Sequence, residues 1–164
     1  MTVPTGSSFS LQPTYDANQL NGVSTYDIVL ITRYIHGLDQ LTPYQLIAAD
    51  ADRSGTVDLA DSLELRKLIL GTYAELPNNT SWRFVRSDYV FPNPLDPFTP
   101  PFPEEATFTN LTEDVANVNF IGIKIGDLNG NVIGGSSPEQ YLALEGTVRY
   151  DENNNCIGDT GEPG

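Results

Sequence analysis

Basic residues are scarce in this chain. Eight lysines and arginines stand against 22 aspartates and glutamates, for a formal charge of −14. Nucleic acids and anionic membrane surfaces both recruit basic patches, so this balance argues against either as a partner. Long apolar runs are lacking too: no 18-residue apolar stretch occurs, so no membrane insertion is expected. Residues 1–10 have neither a basic segment nor a continuous apolar core and do not read as a signal peptide. The one cysteine, Cys156, has no partner for an internal disulfide. The one histidine, His36, sits beside Gly37 at the end of a helical stretch, where a cation favours the helix dipole. Neither GxSxG, HExxH nor a phosphate-cradling glycine loop occurs. Glu104 and Glu105 are adjacent on a proline-flanked segment and do not face one cleft. No enzyme is expected.

What the chain does contain is carboxylates at metal-ligand spacing. From Asp50 to Asp61, oxygen-bearing side chains fall at the first, third, fifth, ninth and twelfth places: Asp50, Asp52, Ser54, Asp58 and Asp61. The main-chain carbonyl of Thr56 is the seventh-place candidate. A hard cation such as Ca2+ takes six to eight oxygens at roughly 2.3 to 2.6 Å, and a short loop encircles it only by turning sharply at its sixth residue. Gly55 stands there, free to take positive φ.

The pattern recurs 34 residues earlier. Residues 16–37 align with 50–71 without a gap, and Asp16/Asp50, Ala17/Ala51, Val23/Val57, Asp27/Asp61, Ile35/Ile69 and Gly37/Gly71 are identical. Internal duplication follows. In the earlier copy Asp16, Asn18, Ser24 and Asp27 hold the first, third, ninth and twelfth places. Leu20 occupies the fifth, so Leu20 and Gly22 offer main-chain carbonyls only, and a weaker or purely structural site is expected. Each loop leads into an amphipathic stretch that ends at a glycine, with apolar residues at helical spacing. Ser24 with Asp27 reads as a capping box, and Thr42 with Pro43 opens a short helix to Ala49.

This loop–helix pair resembles a dockerin module, related to EF-hands, over about residues 16–71. The resemblance implies two Ca2+ ions held by the loop residues named above, and a cohesin-like domain of another exported protein as partner. It also implies partner contacts at Thr25, Tyr26, Thr32 and Arg33 in one copy and at Leu59, Ala60, Arg66 and Lys67 in the other. Secretion, to the extracellular space or the cell surface, is the expectation that goes with it.

The remainder reads as β-rich. Phe9–Thr14, Trp82–Phe91, Ala106–Leu111 and Val118–Ile125 are strand candidates. The segment with Pro94, Pro97, Pro100, Pro101 and Pro103 should lie extended, with Phe98 and Phe102 free to dock on the helices and Trp82 a buried anchor. Asp127, Asn129 and Asn131 form the front half of a calcium loop, but Pro138 stands at the twelfth place, so a β-turn is favoured over a metal site. Residues 134–141 read as a linker. Beyond it Leu142–Tyr150 alternates as a strand, and Asp151, Asn153, Asn155, Ile157, Asp159 and Glu162 mark a third loop, for a third Ca2+. Residues 146–164 resemble the opening of the calcium-binding B-type repeats of bacterial adhesins, and the chain reads as a piece of a longer exported protein. Three Ca2+ would bring the formal charge from −14 to −8.

The expected fold is α+β, with five segments: 1–15, 16–76 as the helical module, 77–133 as a β-rich extension on it, 134–141, and 142–164. Two functions fit. One is a calcium-dependent docking module; the other is a calcium-stiffened spacer of a surface adhesin. Apolar helix faces left uncovered by residues 82–102 would favour docking.

Overall fold

Among the described residues, three helices begin where side chains can satisfy the free N–H groups of a first turn. The computed structural model describes residues 2–132, 141–144 and 149–151. Helix α1 (Thr25–Ile35), α2 (Pro43–Ala49) and α3 (Leu59–Ile69) each open on a reciprocal capping box: Ser24 with Asp27, Thr42 with Gln45, and Asp58 with Asp61. Gly37 and Gly71, at φ +68° and +70°, follow the ends of α1 and α3.

The strands are shorter than the sequence suggests. They are β1 (Thr2–Pro4), β2 (Phe9–Leu11), β3 (Trp82–Arg86), β4 (Ala106–Phe108), β5 (Phe120–Lys124), β6 (Tyr141–Leu144) and β7 (Arg149–Asp151). Strand β2 stops ahead of Pro13, which has no N–H for a ladder. Strand β3 ends at Arg86, where a turn bonds Tyr89 N–H to the Arg86 carbonyl and sends Phe91 back onto the helices rather than onward in a sheet. Of the stretch from Leu142 to Tyr150, Leu142–Leu144 lies in β6 and Arg149 and Tyr150 in β7, while residues 145–148 lie outside the described residues. Among the described residues the strands form an antiparallel β3–β5–β6 sheet, an antiparallel β2–β4 pair and a parallel β1–β7 pair. The architecture is α+β.

The sheet buries both faces, and strand alternation decides which residue goes where. Val85, Ile123 and the following Ile125 face the helices and join Ile31, Leu46, Ile47, Leu65 and Leu68 in the larger core. Trp82, Phe84 and Phe120 face the other way, onto Ala106, Leu111 and Val118 under the β2–β4 pair. Trp82 is the buried anchor expected of it. The proline-rich segment docks as well. Phe102 and Phe91 are buried against the helical core, and Phe98 is half-buried beside it. The larger core therefore runs across both the helical pair and the extension.

Candidate metal centre

The loop between α2 and α3 gathers its acids because the helices on either side fix its ends. Asp50 caps the C-terminus of α2, and Asp61 lies in the first turn of α3. Asp50, Asp52 and Asp61 each offer an oxygen, all within 4.8 Å of one another. Oxygens on opposite sides of a calcium-sized ion stand about 5 Å apart, so the donor set has the chemistry and the size for a hard divalent cation. These three residues can hold a metal ion.

Backbone N–H groups hold the carboxylates in place. Asp50 Oδ1 accepts from Ser54 N at 2.9 Å and Asp50 Oδ2 from Gly55 N at 3.1 Å, while Asp52 Oδ1 shares the Ser54 N–H at 3.0 Å. Asp61 divides its two oxygens: Oδ1 accepts from Asp52 N at 3.2 Å and Oδ2 from Asp58 N at 2.8 Å. It thus ties the front of the loop to the helix start. Asp50 and Asp61 are buried, and burial raises both pKa values, that of Asp61 to about 7; the N–H bonds oppose this, and the neighbouring carboxylates add to it. Three acids are crowded here at a cost in charge repulsion that a cation would relieve.

Of the other residues expected in this loop, the Ser54 hydroxyl donates to the Thr56 carbonyl at 3.2 Å, so both stand at the loop's exposed side. The Asp58 carboxylate caps α3 through the Ala60 N–H at 2.7 Å.

The first copy is arranged differently. Asp16 is exposed, and its Oδ1 accepts from Ser81 N at 2.7 Å and from Gln19 Nε2 at 2.8 Å. Asn18 is exposed at φ +55°, and Leu20 is half-exposed. Among the described residues, Asp50, Asp52 and Asp61 are the acidic group close enough to share a metal, and Asp16 and Asp27 are not drawn into such a group. Asp27 is fully buried and does half of what Asp61 does, its Oδ2 accepting from Ser24 N at 2.9 Å and Ser24 Oγ at 2.8 Å. Its other oxygen reaches a distant segment: Oδ1 accepts from Leu128 N at 2.8 Å, across 101 residues of chain.

That segment has the bond pattern of the 50–55 turn. Asp127 Oδ1 accepts from Asn131 N at 3.2 Å, Asp127 Oδ2 from Val132 N at 2.9 Å, and Asn129 Oδ1 shares the Asn131 N–H at 3.1 Å. The offsets of four, five and two residues equal those at Asp50 and Asp52. An additional bond, Gly130 N to Asp127 Oδ1 at 2.8 Å, closes a turn inside it. Residues 127–132 thus supply a loop front, and Ser24–Asp27 supply the loop end that faces it.

Gly22 permits the meeting. A Cβ there would come within 2.6 Å of Asp127 Oδ2. Lys124, only 1% exposed, donates to the carbonyls of Gln19 and Ile125, and burial lowers its pKa to about 8 against the pull of Asp127, Asp16 and Asp27. Asp127 itself is raised by burial, with three N–H bonds opposing.

In sequence, Asp127, Asn129 and Asn131 lack a twelfth-place acid, which favours a turn, and the first copy has Leu20 at a ligand place. Each defect is the complement of the other, and that is the signal that pairs them. Of the third loop, Asp151 closes β7, and Asn153, Asn155, Ile157, Asp159, Glu162 and Cys156 lie outside the described residues.

The residues expected to meet a partner line the outer faces of α1 and α3. Tyr26 is 57% and Leu59 64% exposed, with Val29, Leu63 and Leu70 also uncovered. Thr25, Ala60 and Arg66 are exposed, and Arg33 pairs with Asp39 through Nη2 to Oδ1 at 2.9 Å. Thr32 is half-buried, its hydroxyl donating to the Ile28 carbonyl at 2.7 Å, and Lys67 pairs with Glu64 at 2.7 Å while lying over the Tyr73 ring. A search of protein-family models, of curated proteins and of solved structures finds none that matches this chain.

Proposed function

We propose that this chain is a calcium-dependent docking module of an exported protein, with a cohesin-like or other exported domain as partner. The observation that carries the reading is the Asp50, Asp52 and Asp61 cluster at the mouth of α3, combined with apolar helix faces left open beside it. Calcium suits an all-oxygen donor set in a loop whose carboxylates are already held by N–H groups. In this reading Ser54 and the Thr56 carbonyl complete the shell on the exposed side. In this reading the protein works by binding rather than by catalysis.

Two ions are proposed, as the duplication suggests, but with different ligands for one of them. The second would be held by Asp127, Asn129 and Asn131 together with Asp27, in place of Asp16, Asn18, Leu20, Gly22 and Ser24. Asp16, Asp27 and Asp127 against the Lys124 ammonium leave two negative charges, the charge that one Ca2+ neutralises.

The spacer alternative needs the aromatic extension to cover the helix faces. Phe91 and Phe102 pack on the core near Tyr44 instead, and Tyr26, Val29, Leu59 and Leu63 stay exposed, which favours docking. Titration calorimetry of the chain with CaCl2, followed by affinity selection of exported proteins with and without chelator, tests the reading. Two bound calcium ions and a partner retained only in calcium are expected; no heat of binding at millimolar CaCl2 would overturn it.

A further inference from the structure

A strap of chain lies over the 50–61 loop and brings charge with it. Phe98 packs beside Gly55, and the groove between strap and loop, about 250 Å3, is lined by Asp50, Arg53, Arg83, Phe102 and Glu104 among others. Two guanidinium groups therefore share this groove with Asp50. Arg53 is the fourth residue of the loop, at φ +60°, and Arg83 lies on β3, 9% exposed, with its guanidinium 4.5 Å from the Phe102 ring centre. Arg83 is close enough to Asp50 to favour its ionised form.

Left to themselves, the two arginines that share this groove with Asp50 would pair with its carboxylate. They do not, because both turn to Glu104. Arg83 Nε donates to Glu104 Oε1 at 2.9 Å and Arg83 Nη2 to Oε2 at 3.1 Å, a fork of the kind arginine makes with carboxylate. Arg53 Nη2 donates to the same Oε2 at 3.1 Å. One carboxylate thus takes up two cations, and the Asp50, Asp52 and Asp61 oxygens keep only N–H partners.

We propose that Glu104 is a positioning residue for the metal loop: by holding Arg53 and Arg83 it keeps them from competing with the cation for Asp50. This deepens the calcium reading and rests on it. Glu104 is not itself a ligand. Its removal would leave a mobile cation on Arg53 within the loop, acting both as a rival for the carboxylates and as a like charge near the ion, which together weaken binding roughly tenfold at low salt.

The test is calorimetric titration of the full chain with CaCl2 for the wild type, Glu104→Gln, Arg53→Gln and the double variant, at low and at high NaCl. Expected are a tenfold loss of affinity at one site in Glu104→Gln, smaller at high salt, wild-type or tighter binding in Arg53→Gln, and recovery of most of the loss in the double variant. Far-UV dichroism separates misfolding from a charge effect, because an undocked strap would not be repaired by Arg53→Gln. Unchanged affinity in Glu104→Gln, or a double variant as weak as the single one, overturns the role given to Glu104. A wild-type chain that takes up no calcium overturns the calcium reading first, and this proposal with it.

Discussion

Residues 50–61 and the pairing of 127–132 with 24–27 hold their first aspartate with the same N–H bonds, yet one is a continuous loop and the other is joined across 101 residues. The continuous loop closes as soon as α2 and α3 form at its ends. The divided arrangement exists only when β5 lies on the helical core, because Gly126 N–H bonds to the Ala48 carbonyl and Asp127 follows directly. Closing a loop of about a hundred residues rather than about twelve costs roughly 2 kcal/mol more of chain entropy. The same bond pattern can therefore occur at two places whose coupling to folding differs, with the divided one acting as a staple between helices and extension.

Removing calcium should have the largest effect, since the proposed ions sit at both places. At a hundredfold excess over Kd each ion contributes about 2.7 kcal/mol, and together they are worth on the order of 10 °C in a chain this size. A thermal melt followed by far-UV dichroism should shift down by that amount in chelator; an unmoved midpoint breaks the comparison at its root. Single substitutions come next. Asp61→Ala and Asp127→Ala should each reduce the calcium count from two to one by calorimetry, whereas Asp16→Ala should leave it at two. Loss of a site in Asp16→Ala, with Asp127→Ala unaffected, would return the first copy to a continuous loop.

The pH response sharpens the contrast further. In the folded, metal-free protein the Asp61 carboxyl is raised to about 7, from near 4 in the unfolded chain. The folded state then binds this proton more tightly, so the stability it contributes falls as pH rises from about 4 through 7. Burial pushes Asp50 and Asp127 in the same direction. Chelated protein should melt higher at pH 5 than at pH 7.5, and Asp61→Asn should flatten that slope. With calcium the order should reverse, because the ion needs the ionised acids. The smallest stability change belongs to the outer faces: Leu59→Ser and Leu63→Ser should alter stability by under about 0.5 kcal/mol. Both should still abolish retention of a partner; retention unchanged in both would move the docking surface elsewhere.

How much of this could be read in advance varies with the range of the contact. The Ser24–Asp27 box, the Thr42 cap before Pro43, and the carboxylate spacing of 50–61 involve partners a few residues apart, and each stands where the spacing puts it. The ends of β2 and β3 were overextended, because hydropathy alone does not register where Pro13 or the turn after Arg86 withdraws the ladder. The pairing of Asp27 with Leu128 was missed for a similar reason: it crosses residues whose order in space no local pattern encodes.

The sequence by itself determined the helices, their caps and the loop that gathers Asp50, Asp52 and Asp61, since all of these depend on side chains within one or two turns of each other. Tertiary structure alone decided that Asp16 bonds to Ser81, that Asp127 faces Asp27, and that Glu104 holds Arg53 and Arg83. Those contacts follow from where the β3–β5 sheet packs on the helices, and packing is settled by the whole apolar surface at once.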